Sequence, residues 1–468
     1  MLDGTKLSSE PSGRLIESTW HALQMPSAIA AFAQTLRQPQ MKLTTFLVWS
    51  FALCVAGNVG AAESVSPLPS MSATKEGFSD VRLQRLQAFM HTTIRSGDYL
   101  GAVTLIARNG RIVDWRTYGH RDLSRKRPMT RDSIFRIYSM TKTVTSVAIL
   151  ILMEEGKFGL DDPIAKYLPE FANTQVLSAG TADAPELRPL RQPLTIRHLL
   201  THTSGIATRD AKNGEAVKRF NRIDLNTLPT LTAYSEYVAS QALARDPGEV
   251  FTYDGVQLVV LSRLIEIVSG MPFEEFLRQR IFRPLVMTDT GFSVPARDRA
   301  RVVDMVTTTS GGQLAITKSN DAIHPGESLN PYPSGAGGLY STAADYVRFC
   351  QMLLNGGNLD GASILGRKTV ELMMMNHLTH LDPPVNEFSN AEGFGLGGYV
   401  VLDVARRGRL GSVGQFGWSG AGSTYFTIDR SENLIAILLM QHLPQGLAKD
   451  PPKISGKFYN FVYQALVN

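Results

Sequence analysis

Ser139-Met140-Thr141-Lys142 places a hydroxyl and an amine three residues apart at the start of the run SMTKTVTSVAILILMEEG. On a helix that spacing brings the two side chains to one face, close enough for contact. Val144–Met153 is apolar around nearly its whole circumference, so the helix is expected to be buried. Burial matters chemically. A free lysine, with a pKa of about 10.4, is a poor base at neutral pH, and desolvation lowers that value toward a useful range. A neutral Lys142 could then take the Ser139 proton as the oxygen attacks a carbonyl carbon. Backbone N–H groups at the helix start would face the developing oxyanion. The pattern itself is cheap: Ser72-Ala73-Thr74-Lys75 repeats it in linker-like sequence, and context selects Ser139.

Two further segments carry chemistry. In Pro247-Gly248-Glu249-Val250-Phe251-Thr252-Tyr253-Asp254-Gly255, the turn signals place Tyr253 at a bend before a Val/Leu-rich helix. A tyrosine there is either structural or, beside a cationic lysine, a phenolate base. In FGWSGAGSTY (416–425), small residues let backbone N–H groups approach a bound carbonyl, with Trp418 as a wall beside it. Other matches fail. Gly393–Gly398 leads into a strand rather than opening a helix, so it is no dinucleotide loop. Gly417-Trp418-Ser419-Gly420-Ala421 lacks the last glycine and the following helix of a nucleophile elbow. His198 and His202 have no third ligand nearby in sequence and read as structural hydrogen-bonding residues.

The elements that must position these groups read as strand, helix, strand. Residues 78–95 pattern as a helix, and 101–118 as a hairpin about Asn109-Gly110. Helical patterns follow at 139–156, 231–243, 255–268, 272–281, 342–354 and 367–375. Strands return near 394–402, 409–416, 423–429 and 433–440, before a closing helix at 455–466. The expectation is an α/β domain from 78–138 and 356–468, carrying a mostly helical region, 139–355, that includes the nucleophile helix.

The chain has 468 residues, 43% hydrophobic and 19% charged, a balance that excludes collagen-like and wholly disordered proteins. Cys54 and Cys350 are the whole cysteine complement, so disulfide frameworks and cysteine-rich metal sites are excluded too. A formal charge of +5 does not by itself indicate a nucleic-acid partner, and none is expected. MKLTTFLVWSFALCVAGNVGAA (41–62) has the charged start, apolar run and small-residue end of an export signal. It is too short for a comfortable membrane span, which takes roughly 20 apolar residues. Cleavage near Ala62 predicts a periplasmic or secreted chain, with 63–77 as linker and no membrane span in the mature part. Residues 1–40 then read as an extension or a misassigned start. Cys350, on the apolar face of DYVRFCQMLL, reads as a buried, inert thiol.

These motifs, with LTIRHLLTHTSGI (194–206), IFRPLVMTDTGF (281–292), SGAGGLYSTAADYVRF (334–349) and IDRSENLIAILLMQ (428–441), make the sequence recognisable. It resembles the serine beta-lactamase-like superfamily, in particular class C beta-lactamases and family VIII carboxylesterases, which share a fold with penicillin-binding proteins. The resemblance implies an α/β (α+β) fold: an antiparallel sheet built from both termini, flanked by helices, with a mostly helical insertion. It implies Ser139 as acylated nucleophile, Lys142 as its partner, and Tyr253, heading the Y-x-N motif, sharing proton transfer. The oxyanion hole would use the N–H groups of Ser139 and Ala421, and Trp418, Ser419, Gly420 and Gly255 would face the substrate. No cofactor or metal is implied. Two departures bear on substrate. Trp418 stands where penicillin-binding relatives carry a cation, and Gly255 replaces the asparagine of Y-x-N. Both favour a carboxylesterase acting on a small-molecule ester over a beta-lactamase or D-amino-acid peptidase acting on an amide. Arg121, Arg125 and Arg127 are alternative sources of charge, although a solvated basic surface is their expected role. Acyl transfer and a non-catalytic binding role are lesser alternatives.

Overall fold

Strands whose side chains are apolar on both faces must be covered on both faces, and that requirement organises this molecule. The computed structural model describes residues 67–210 and 212–467, so the expected export signal lies outside the described residues. Helix α1 (Asp80–Arg95) leads into β1 (Gly101–Arg108) and β2 (Arg111–Gly119), which pair antiparallel. Far along the chain come β3 (Glu392–Phe394), β4 (Tyr399–Val401), β5 (Phe416–Gly420), β6 (Thr424–Asp429) and β7 (Leu434–Leu439). All seven form one antiparallel sheet in the order β3-β4-β5-β6-β7-β1-β2. The N- and C-terminal parts therefore meet at the β1–β7 seam, where Val103 stands opposite Leu439.

The two faces are sorted by alternation. Ala102, Ile106, Ala436 and Leu438 pack under α1 and the closing helix, Ser455–Tyr463, with Leu86, Met90 and Phe458. Val103, Leu105, Ile435 and Ile437 face the opposite way, into the larger core shared with the helical region. That core holds α2 (Thr141–Glu154), buried from Thr141 through Leu152, and α3 (Val256–Ser269), which packs against it. The helix Ala343–Leu354 lies on β1 and β7, with Cys350 buried and its thiol pushed up by desolvation.

Two expected strands differ. The run 394–402 is a hairpin rather than one strand. Gly395 and Gly398 turn it where a Cβ would meet Met373 O at 2.4 Å and the Phe416 ring at 2.6 Å. Residues 409–415 run outside the sheet, because Gly411 and Gly414 take positive φ and break the extended backbone. The strand begins at Phe416, so the FGWSG motif is itself β5. The helical region also contains short hairpins, Gln175–Gly180 with Pro185–Pro189 and Val306–Thr308 with Leu314–Ile316.

One close approach ties sheet to helix. A Cβ on Gly420 would lie 2.2 Å from Ile137 O and 2.3 Å from Thr424 Oγ1. Gly420→Ala should therefore force β5 away from the residues before Ser139. We expect a destabilisation of about 1–3 kcal/mol by urea unfolding, with a larger proportional loss of turnover than of folded protein. An unchanged midpoint would show that the strand end can relax.

Candidate active site

The backbone delivers Ser139 under constraint. Phe135–Arg136 pairs with Tyr340–Ser341, and Ile137 N–H donates to Leu339 O at 3.0 Å. Ile137 O in turn accepts from the Thr424 hydroxyl at 3.2 Å. Between these anchors and α2, Tyr138 takes φ of +43°, a strained conformation for a bulky residue. Ser139 follows in a short 3-10 turn, Tyr138–Met140, that runs straight into α2.

One turn on, Lys142 is 3% exposed, and its Nζ donates to Ser139 Oγ at 3.1 Å and to Ala336 O at 2.7 Å. The second acceptor belongs to the run Ser334–Gly338. Thr145 Oγ1 holds Gly335 O at 2.8 Å, and a Cβ on Gly335 would sit 2.1 Å from Ser262 Oγ of α3. This small-residue run threads between α2 and α3 and aims a carbonyl at the amine. Sequence alone gives no sign of Ala336, because its carbonyl acts whatever its side chain.

Tyr253 lies immediately before α3, with Lys142 Nζ 5.0 Å from its ring centroid. Trp418 Nε1 donates to Tyr253 Oη at 3.0 Å, and the two rings stand 5.0 Å apart. The indole is thus a hydrogen-bond donor to the phenol as well as the wall expected from its bulk. The backbone of Tyr253 is clamped too. Its carbonyl accepts from Arg209 Nε at 3.1 Å and Nη2 at 2.6 Å, and its N–H donates to Glu387 Oε1 at 3.2 Å. Arg209 and Glu387 are themselves an ion pair. Neither stands out in sequence, where they are far apart. The pair also carries Phe388, 57% exposed, against Tyr253 and Trp418.

Both histidines serve the scaffold, His202 beside Tyr253 and His198 at a helix start. His202 packs against Tyr253, Phe251 and Phe394, and its Nδ1 accepts from Asp254 N–H at 3.4 Å. Burial, followed by the Lys142 charge, holds its pKa well below the usual histidine value, so it stays neutral. His198 closes a capping box with Thr195, accepting from the Thr195 N–H at 3.2 Å, and burial lowers it to about 4.

Ser139 stands between two openings. One, about 840 Å³, is bounded by Tyr253, Trp418, Ser419, Gly420 and Ala421. The other, about 490 Å³, is bounded by Lys142, Gly255, Ala336 and Asn330. Every expected site residue borders one of the two openings, and Ser139 and Tyr253 border both. Gly255 is the N-cap of α3, and a Cβ there would lie 3.2 Å from that of Ala336. Its missing amide has neighbours on the same opening, Asn226 and Asn330, joined by a 2.9 Å hydrogen bond. Arg121, Arg125 and Arg127 border neither opening.

Trp418→Phe keeps a ring beside Tyr253 and removes its donor. The N–H steadies the oxygen that shares the Ser139 proton with Lys142, and a hydrogen bond to a group that exchanges charge contributes about 1.5–3 kcal/mol, so kcat should fall roughly 10- to 100-fold with little change in KM. Equal kcat would dismiss the contact as packing. His198 contributes stability that is present above about pH 6.5 and lost as pH falls toward its folded value of about 4. Glutamine suits the same capping position without titrating, so His198→Gln should flatten the fall in Tm over that window; an unaltered Tm profile would contradict this.

Comparisons with known proteins agree with the geometry. The beta-lactamase family model matches residues 84–455. Protein Rv1367c of Mycobacterium tuberculosis is 34% identical over 367 residues, covering 76% of this chain and 90% of its own. Esterase EstB of Burkholderia gladioli is 27% identical over 384 residues, covering 78% and 91%. Among solved structures, EstCE1, described as a hydrolase with promiscuous acyltransferase activity, superposes with a TM-score of 0.66 at 25% identity, covering 83% of this chain and 98% of its own. With the matched model spanning most of its length and the serine–lysine pair at its centre, this chain belongs to the beta-lactamase family of serine hydrolases.

Proposed function

We propose that this protein is an exported carboxylesterase that cleaves small or medium esters through an acyl-enzyme on Ser139. The observation that carries the reading is the neutral Trp418 in the middle of β5, donating to Tyr253 Oη where penicillin-binding relatives present a cation. An indole N–H can support a base but cannot supply the positive charge that recognises a beta-lactam or peptide carboxylate at that position. The similarity to EstB supports the same reading.

In this mechanism the ester carbonyl lies against Ser139, with its oxygen toward the N–H groups of Ser139 and Ala421. The Ser139 proton passes to the Lys142–Tyr253 pair as Oγ attacks, and a tetrahedral oxyanion forms. Lys142 and Tyr253 act as one coupled unit, since the amine lies over the phenol ring. The same proton then goes to the departing alkoxide, leaving an ester on Ser139. Water, deprotonated by the pair, attacks that ester and releases the acid, and Ser139 recovers its proton. An alcohol in place of water would give acyl transfer, the promiscuous activity described for EstCE1. Support for export comes from the pattern at 41–62, which precedes the family match.

A fluorophosphonate should form one adduct, on a peptide containing Ser139. Ser139→Ala should lose the adduct and at least about 1000-fold of ester kcat. The ratio of kcat/KM for a short-chain ester to that for a cephalosporin decides between ester and amide chemistry, and a large excess for the cephalosporin would overturn the esterase reading. N-terminal sequencing of exported protein should begin near Glu63, whereas an intact Met1 would contradict cleavage.

A further inference from the structure

The larger opening beside Ser139 has an unequal charge balance at its far end. Four of its bordering residues are charged: Glu392, Arg407, Arg409 and Lys453. Glu392 Oε1 accepts from Arg407 Nε at 2.6 Å and from Arg409 Nη2 at 2.7 Å, so one carboxylate serves two guanidinium groups. Lys453, exposed just before the closing helix, has no ionic partner among the described residues. The local balance is therefore two positive charges in excess. Buried polar groups there are also incomplete. Arg407 Nη2 and the hydroxyl of Tyr459, both buried, have no hydrogen-bond partner among the described residues. Tyr459 is 4% exposed and borders the same opening.

The way from this end to the nucleophile is paved with rings. Arg407 Cζ lies 5.0 Å from the Tyr399 centroid, Tyr399 lies 6.4 Å from Trp418, and Trp418 lies 5.0 Å from Tyr253. An ester held at Ser139 with an apolar or aromatic body over these rings would present its opposite end to the cations.

We propose that the preferred esters carry a carboxylate on the half directed away from Ser139, received by Arg409 and Lys453. The proposal rests on the esterase reading and deepens it by naming the substrate class. It is compatible with the neutral Trp418, because the positive charge is displaced to the segment between β4 and β5 and to the residues just before the closing helix rather than lost. The two guanidinium groups cannot be neutralised by Glu392 alone, and charge–charge attraction in a partly enclosed cleft outlasts screening better than on open surface.

The test compares kcat/KM for two matched pairs: 4-nitrophenyl hydrogen glutarate against its methyl ester, and 4-acetoxybenzoate against its methyl ester. Within each pair the distant charge is exchanged for a methyl ester, and each enzymatic rate is taken relative to its uncatalysed rate to remove differences in intrinsic reactivity. Wild-type protein should favour the carboxylate in at least one pair by about tenfold, equivalent to about 1.4 kcal/mol, expressed in KM. Lys453→Glu, at an exposed position, should reduce that preference at least about tenfold, and Arg409→Gln should reduce it as well. A preference near unity in both pairs, unmoved by either substitution, overturns the inference while leaving the esterase reading intact. If no ester is turned over and Ser139 takes no fluorophosphonate, the esterase reading fails instead. Calorimetric titration of the Ser139→Ala protein with glutarate then decides the anion site: binding abolished by Lys453→Glu supports it, and no binding refutes it.

Discussion

Everything at this site depends on an amine held almost out of water. Lys142 has only two acceptors within reach among the described residues, a serine hydroxyl and the carbonyl of Ala336, and it is shielded by α2, α3 and the Tyr253 ring. A buried cation without well-placed acceptors would be strongly unfavourable. The run Ser334–Gly338 must therefore be small enough to pass between two helices, and both helices must be apolar enough to close over it. The glycines in that run, the apolar circumference of α2 and the hydroxyl of Thr145 are consequences of one requirement.

The second requirement is to bring a strand end to that amine from another part of the chain. β5 arrives through Gly420 against Ile137, and Trp418 reaches across to Tyr253. Tyr253 is held at its hydroxyl by the indole and at both backbone groups by Arg209 and Glu387. Such multiple restraint limits the phenol to a narrow range of positions, which favours proton transfer over short distances. The exposed Arg209–Glu387 pair would add little to stability as an isolated surface contact. Its value lies in what it orients.

What can be read in the sequence follows the range of each signal. α2 and α3 are legible because apolar periodicity is local, and the β1–β2 hairpin because Asn109-Gly110 defines its turn. Ser139, Lys142 and Tyr253 are legible as side-chain types at fixed spacing. The glycine-rich stretch 395–415 suggests strands that it does not form as expected, since apolar alternation does not report positive φ or the closeness of Met373 and Phe416. Ala336 leaves no signal because a carbonyl has no identity in sequence. Trp418 discloses its bulk but not the direction of its N–H, and that direction depends on a partner 165 positions away.

The order of strands has a consequence in time. Among the described residues β7 alone joins β1 to the strand next to the one that carries the W-S-G motif, so the N-terminal hairpin gains its sheet partner on that edge only when residues 434–439 are present. Contacts so distant in sequence are slow to form. A chain made from its N-terminus holds the serine and lysine long before it holds the strand that completes their surroundings. The Ser139–Lys142 pair is thus synthesised early, and its surroundings are completed late, when the sheet closes.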